Sequence, residues 1–282
     1  NVKEVQRVKK DKIFISAAIV SYNCSNKTKK AAENLLENTK TDSFKLYIID
    51  NNSRDKESLK SIKGITLIEN NRNLGFGKGH NKVLNLPLGK YHAVINPDIE
   101  IKSDVLNKLT KILEENPDIV MITPKILNPD GSEQLLPKRN PNFKYIFLGR
   151  FSKKIRAEYT RCNENFKGFT DIDFSTGCFF VIRGEIFVKI GGFDERFFMY
   201  LEDADITRRA KKYGRVVFCP DVSVIHQWER ASAKSIRALF MHITSFFKYI
   251  IKWRKRTYEG INYRCQRATG ERALQGNKRG QK

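Results

Sequence analysis

The chain is poor in the residues that build disulfide frameworks, zinc sites and membrane spans. Its 282 residues include five cysteines, Cys24, Cys162, Cys178, Cys219 and Cys265. They are scattered, and no two stand in a CxxC pair. An odd, dispersed set argues against a disulfide scaffold and a cysteine-held zinc site, and fits a reducing compartment. No apolar run approaches the ~20 residues a helix needs to cross a bilayer. Asn1–Lys12 is charged and lacks an apolar core, so no secretory leader is expected there and a cytoplasmic location is. No internal repeat is visible.

Acidic residues are also scarce. Asp and Glu total 31 against 53 Lys and Arg, a net charge of +22. The excess is uneven: residues 234–282 hold 13 basic and 2 acidic residues, a local +11 and half the total. Such an excess favours polyanions, whether nucleic acid, anionic headgroups or phosphorylated substrates; a merely soluble basic surface is the bland alternative. A nucleic-acid-binding protein would explain the charge. However, the charge gathers in the tail, and the rest shows no basic–aromatic interleaving and no known nucleic-acid motif. No nucleic-acid partner is therefore expected.

What the chain does have is a core-sized apolar content, 40% of its residues, arranged in a βα rhythm. Ile13–Val20, Phe44–Ile49, Ile65–Ile68, Tyr91–Ile95 and Ile119–Thr123 read as buried strands. Between them Lys27–Asn38, Lys56–Ile62, Lys78–Leu86 and Ser103–Glu115 read as helices, the last capped by Ser103 or Asp104. Near-continuous apolar strands separated by helices predict a parallel sheet covered on both faces. Ligands of such sheets bind beyond the carboxyl ends of the strands. That puts Ser21-Tyr22-Asn23, Asp50-Asn51-Asn52-Ser53 and Asn96-Pro97-Asp98 on one rim.

From Asn128 to Gly168 the rhythm breaks, with Pro129, Pro137 and Pro141 among basic and aromatic residues. A long, mobile connection that covers a site or reads a second substrate is the expectation. Order resumes with a strand over Phe174–Ile182, helices over Gly184–Ile190 and Asp203–Tyr213, and strands Val216–Cys219 and Val222–Ile225. In Ala233–Arg256, apolar residues such as Phe240, Ile243, Phe246, Phe247 and Ile250 recur at helical spacing among Arg237, Lys248, Lys252, Arg254, Lys255 and Arg256. This basic amphipathic helix either lies in a membrane interface or packs its stripe on the core, and a surface-binding role is assigned to Lys252–Arg256. Glu259–Lys282 is polar and basic, and disorder is expected there.

Three segments bear chemistry. Asp98, at the end of a buried strand, can bind a divalent cation that also holds two phosphate oxygens; the plain alternative is a turn. Glu202-Asp203-Ala204-Asp205 follows the apolar Phe197–Leu201, which would desolvate a carboxylate and raise its pKa toward that of a general base. The alternative is an acidic helix start favoured by the macrodipole. His226 closes an apolar strand before the polar Gln227–Arg230, and is either a ligand or a core histidine. Asp50 either accepts hydrogen bonds from a base or ribose or forms a helix cap with Asn52 and Ser53. Leu74–Asn81 fails both phosphate-loop patterns, because His80 replaces the last glycine of GxGxxG and no GK[ST] follows. A metal-diphosphate donor served by a carboxylate, a distant acid and an imidazole is the chemistry of a sugar-nucleotide transferase.

Together with Ile19–Asn23, Asn70–Asn81, Ser175–Cys178 and Gly191–Asp205, these segments resemble glycosyltransferase family 2, and within it the bacterial rhamnosyltransferase-like group. The resemblance runs from Phe14 to Ser232. It implies an α/β glycosyltransferase A fold, with a Rossmann-like, mostly parallel central sheet flanked by helices and a C-terminal amphipathic helix. It further implies a nucleoside-diphosphate sugar donor, Mg²⁺ or Mn²⁺, and inversion at the anomeric carbon. Residues 1–232 would be the catalytic domain, with a nucleotide-binding half over 13–127 and an acceptor half over 128–232, followed by the helix 233–258 and the tail 259–282. On this resemblance Ser21, Asn23 and Asp50 sit by the base and ribose, and Gly75 and Asn81 near the nucleotide. Asp98 is the metal ligand, with His226 a further ligand or diphosphate contact. Asp203 is the base; Glu202, Thr176, Gly177 and Cys178 shape the acceptor site.

One departure is Asn96, where the family's metal element usually has its first Asp. An amide hydrogen-bonds a ribose or sugar hydroxyl but adds no charge, so weaker metal dependence is expected. Such Asn forms are familiar in the rhamnosyl group, so the resemblance implies a dTDP-rhamnose donor over UDP-hexose or UDP-galactofuranose. A lipid-linked saccharide acceptor, an anionic membrane surface and a peripheral place at the inner face of the cell membrane complete the expectation, with an O-antigen or capsule as product. A nucleotidyltransferase would need a glycine-rich basic signature that Val20–Lys30 lacks.

Overall fold

The computed structural model describes residues 13–135, 138–227, 236 and 238–254. The charged Asn1–Lys12, the start of the C-terminal unit at Ala233, Lys255 and Arg256, and the tail 259–282 lie outside the described residues.

The first half follows the βα rhythm: β1 (Ile15–Ser21), α1 (Ser25–Asn38), β2 (Phe44–Asp50), α2 (Glu57–Lys60), β3 (Ile65–Glu69), α3 (Phe76–His80), β4 (Tyr91–Ile95), β5 (Ile99–Glu100), α4 (Val105–Glu115) and β6 (Ile119–Leu127). The expected helix Lys78–Leu86 is α3 running into a 3₁₀ turn at Asn81–Asn85. Asp104 caps α4, accepting from the Asn107 N–H. The second half adds α5 (Phe143–Phe147), α6 (Lys153–Thr160), β7 (Thr170–Asp171), β8 (Phe179–Arg183), α7 (Gly184–Lys189), α8 (Glu202–Ala210) and β9 (Arg215–His226). Residues 238–254 form a further helix, α9. Among the described residues no helix is long and apolar enough to cross a membrane.

All these strands share one sheet in the order β3-β2-β1-β4-β8-β6-β9-β5, with β7 on β9. β1 to β4 are parallel neighbours, and every residue of β1 and β4 is buried. β8 then enters antiparallel between β4 and β6. It is reached through the long excursion after β6, not through the helical crossover that a parallel neighbour needs. The two late strands are one, β9, whose register jumps between Cys219 and Ser223 opposite Pro124 and Lys125.

Two expectations are corrected. Phe174–Cys178 is loop, because its amides take side-chain partners from α8 in place of a ladder: Ser175 N–H donates to Thr207 Oγ1 at 3.2 Å and Gly177 N–H to Asp203 Oδ2 at 3.0 Å. The Asn128–Gly168 connection is not irregular throughout. It folds into α5, a 3₁₀ turn at Leu148–Arg150, and α6. Asn142 and Ser152 cap the two helices, accepting from the Tyr145 and Ile155 amides.

The inner side of α9 is core. Phe246, Tyr249 and Trp253 pack on Phe174, Phe197, Leu201 and Ala204. Lys252, expected in a surface cluster, is instead buried, its Nζ 2.5 Å from Asp205 and 2.7 Å from Asp194. Asp205 is wholly enclosed and also holds Arg209 at 2.7 Å and the Trp253 Nε1–H at 3.0 Å. A carboxylate cannot stay charged in that interior alone, so its cations follow it inside. Arg254, two residues on and on the other side of the helix, remains exposed.

Candidate active site

The rim at the end of β4 places Asp98 and His226 together. β5 pairs antiparallel with the end of β9, setting Ile99 opposite His226. His226 Nε2 then lies 3.2 Å from Asp98 Oδ1 and 3.3 Å from Asn96 Nδ2. Asp98 Oδ1 is buried and has no hydrogen-bond partner. Two ligands of one octahedral cation at Mg²⁺ distances stand about 3.0 Å apart, so this pair fits adjacent corners of a hard divalent ion. No group of three or more His, Cys, Asp or Glu among the described residues could hold a metal. A cleft of about 320 Å³ opens beside Asp98, walled by Lys27 and Lys30 of α1 and by Gln227.

Asp203 stands in the first turn of α8, behind Tyr200 and Leu201, which both hold left-handed backbone at φ 72° and 65°. Two consecutive non-glycine residues in that region are strained, and the strain fixes where the helix begins. Burial raises the Asp203 pKa, while the amides of Gly177 and Ala204 and the nearby Lys138 cation oppose the rise. Glu202 is more enclosed: burial, then the neighbouring Asp203 charge, lifts its pKa well above the carboxylate range, and Oε2 has no partner. Asp203 is thus a carboxylate held by two amides in a largely enclosed setting, beside a second carboxyl that burial pushes further up.

The 175–178 loop joins the two centres. Gly177 N–H holds Asp203, and the carbonyl of Cys178 accepts the Asn96 N–H at 2.8 Å. Burial pushes the Cys178 thiol up to about 11, and the charges of both Asp203 and Asp98 add to the shift. One buried sulfur feels both carboxylates. Thr176 Oγ1 lies 3.5 Å from that sulfur.

The residues expected at the nucleotide divide. Asp50 ends β2 fully buried, its two oxygens accepting the Ser53 amide at 3.2 and 3.1 Å. It closes a turn and caps no helix, since α2 starts at Glu57 without a side-chain cap. Asn23 is exposed in left-handed backbone, with Oδ1 accepting from the Arg54 amide. Ser21 is buried, its hydroxyl accepting from Thr28. Gly75 has φ 83°, and a Cβ there would meet the Phe198 carbonyl at 2.2 Å. Asn81 grips Phe193 at both backbone atoms, 2.9 and 2.8 Å, so its side chain ties α3 to the Gly191–Phe193 turn. Of the set, Asn23 is the one open to solvent at this rim; Ser21, Asp50, Gly75 and Asn81 build the floor.

A family model described as "Glycosyl transferase family 2" matches residues 16–191, more than half of the chain. The chain belongs to glycosyl transferase family 2. It is similar to the rhamnosyltransferase WbbL of Escherichia coli K12, at 28% identity over 264 residues, covering 87% of this chain and 95% of that one. It is also similar to an N-acetylglucosaminyl-diphospho-decaprenol L-rhamnosyltransferase of Mycobacterium tuberculosis, at 26% identity over 207 residues and 64% of this chain. Among solved structures it resembles the mannosyltransferase PcManGT of Pyrobaculum calidifontis in complex with GDP-Man and Mn²⁺, with TM-score 0.60, 16% identity and 86% of this chain covered. The match spans 66% of the mycobacterial relative and 65% of the mannosyltransferase, just under two thirds of each. The fold is therefore that of the glycosyltransferase A group.

Within this family 2 member, two residues escaped the sequence reading. Gln134 Oε1 lies 3.1 Å from His226 Nδ1, and its Nε2 donates to the His226 carbonyl at 3.0 Å. Lys138 pairs its backbone with Phe174 and lies over the Tyr159 and Phe174 rings at 5.9 and 5.6 Å. Burial lowers its pKa, and Asp203 acts against that fall. Both lie in the aperiodic connection, where no spacing marks them.

Proposed function

We propose that this chain is an inverting glycosyltransferase that moves L-rhamnose from dTDP-rhamnose to a hydroxyl of a lipid-linked saccharide, in the making of a bacterial surface polysaccharide such as an O-antigen or capsule. One observation carries the reading: the Gly177–Cys178 backbone touches Asp203 on one side and the Asp98 rim on the other. The two rhamnosyltransferase relatives support rhamnose as the sugar, and the acceptor in the mycobacterial enzyme's name, a saccharide on a lipid diphosphate, supports the acceptor class.

In the reaction, Asp203 accepts the proton of the acceptor hydroxyl. The acceptor oxygen bonds to the anomeric carbon from the face opposite the diphosphate, the bond from that carbon to the diphosphate oxygen breaks, and the nucleoside diphosphate leaves. A single carboxylate with no second acid as nucleophile fits inversion. The Gly177 and Ala204 amides hold the base in place. Asp98 and His226 would hold Mg²⁺ or Mn²⁺, which when bound offsets charge on the leaving diphosphate. Asn23 and the Ser21–Asp50 floor would meet the nucleoside, with Gly75 and Asn81 shaping the turn beneath it and Asn96 reaching a sugar hydroxyl. Thr176, Gly177, Cys178 and Glu202 would line the acceptor side. Residues 13–127 then serve the donor and 128–232 the acceptor, at the inner face of the cell membrane.

The test is incubation with dTDP-rhamnose, UDP-hexoses and UDP-galactofuranose in Mn²⁺, following nucleoside diphosphate release. Turnover of dTDP-rhamnose above the others is expected. Preference for a UDP sugar would replace the donor, and no turnover of any sugar nucleotide, with or without acceptor, would remove the reading.

A further inference from the structure

The helical connection and the outer side of α9 meet in one aromatic surface. Phe143 of α5 stacks on Phe147 at 5.8 Å and meets Phe247 of α9 edge-on at 6.3 Å, above the buried Phe246. Phe151 is 90% exposed, Phe240 67% and Leu148 54%. Single exposed apolar residues are ordinary, but a contiguous run of large rings across two elements marks an interaction site.

The charge around these rings has one sign. Residues 138–157 contain seven Lys or Arg and no Asp or Glu, and 238–254 contain no acidic residue either. Arg150, Lys153, Lys154 and Arg254 are exposed. Glu158, at the end of α6, is engaged by Lys144 and Tyr145. Large apolar side chains ringed by uncompensated cations fit the boundary between headgroups and acyl chains of an anionic bilayer, where the rings enter and the cations meet phosphate.

We infer that α5, the Leu148–Phe151 segment and the outer side of α9 form one face that docks this protein on an anionic membrane surface. The inference deepens the proposal above, whose acceptor is carried on a lipid, and it assigns that proposal a surface. α9 buries Phe246, Tyr249 and Trp253 against Ala204 and Leu201 of the Asp203 region. The docked face and the base are therefore joined through one packed cluster, which sets the depth at which an acceptor hydroxyl meets Asp203.

Flotation of the full chain with phosphatidylcholine vesicles, with and without phosphatidylglycerol, tests this. Binding is expected only with phosphatidylglycerol and weakens as salt rises. The double variant F151S/F240S should bind at least tenfold more weakly. K153E/K154E, which removes no apolar contact, should lose about fivefold or more per lysine. Both pairs are exposed, and an unchanged melting temperature verifies the fold. Failure of the wild type to float with phosphatidylglycerol overturns the inference, as do double variants that bind like wild type. A concentration-dependent dimer in sedimentation velocity that F151S/F240S abolishes would assign the face to a second copy and also overturn it. No sugar nucleotide enters the assay. Transfer to a water-soluble acceptor without vesicle binding would sink the face and keep the transferase; vesicle binding without turnover would do the reverse.

Discussion

The Gly177 N–H donates to Asp203 Oδ2 at 3.0 Å, so the backbone of the 175–178 loop sets the position of the carboxylate proposed as the base. Asp203→Asn keeps the side-chain shape and removes the proton acceptor. A fall in transfer of about 10²-fold or more is expected, with nucleotide affinity by calorimetry unchanged. A variant that retains a tenth or more of the wild-type rate, about 1.4 kcal/mol of barrier, takes the base assignment away from Asp203.

Gln134 controls the imidazole opposite Asp98. When Nδ1 carries the proton and donates to Gln134 Oε1, 3.1 Å away, Nε2 presents its lone pair toward Asp98, where it accepts from Asn96 Nδ2 at 3.3 Å and could turn to a cation instead. Gln134→Ala should raise the Mn²⁺ concentration for half-maximal transfer by about 10- to 100-fold, the usual effect of losing an outer-shell partner. Asp98→Ala should weaken it further and also weaken metal-dependent nucleotide binding. A Gln134→Ala titration that superimposes on wild type would mean the imidazole needs no such orientation.

Lys138 acts by charge on Asp203, the carboxylate proposed as the base. Burial raises the Asp203 pKa and the Lys138 cation pulls it back. The base works deprotonated, so activity falls as pH drops through its pKa. Lys138→Met removes the opposing cation, lifts that pKa and shifts the acidic limb of the kcat/KM profile to higher pH, while Lys138→Arg largely preserves it. Should the limb stay in place while the rate drops, Lys138 acts on the substrate instead.

These sites were not equally visible in the sequence. β1 and β4 are buried along their whole length, so they read as unbroken apolar runs and their ends point to Asp98 directly. Direction is another matter: burial does not encode whether β8 runs parallel or antiparallel, and the antiparallel entry emerged only from pairing. α5 and α6 are five and eight residues long and neither contains a buried residue, so no apolar period betrays them. Gln134 and Lys138 inherit that silence, because tertiary packing alone brings them to His226 and Asp203. Asp205 sat in plain view within an acidic cluster, but its task of drawing Lys252 and Trp253 inward depends on a helix about fifty residues away.

Two buried imidazoles make the fold sensitive to acid. His80 is fully enclosed against Phe76 and Phe193 at 4.5 and 5.7 Å, and neither ring nitrogen has a hydrogen-bond partner. Burial, and then His92, depress its pKa to about 3; burial alone takes His92 to about 3. The unfolded chain takes up these protons near its ordinary value of 6.5, whereas the folded chain does not until about pH 3. Stability is therefore fully present above about pH 6.5 and lost as pH falls from there toward 3. His80→Leu removes one such uptake site and an unpartnered polar ring. The drop in melting temperature between about pH 7 and about pH 5 should shrink, with the neutral-pH value equal to wild type or higher. Melting curves with the same pH slope in both proteins would show that His80 ionises elsewhere than this reading holds.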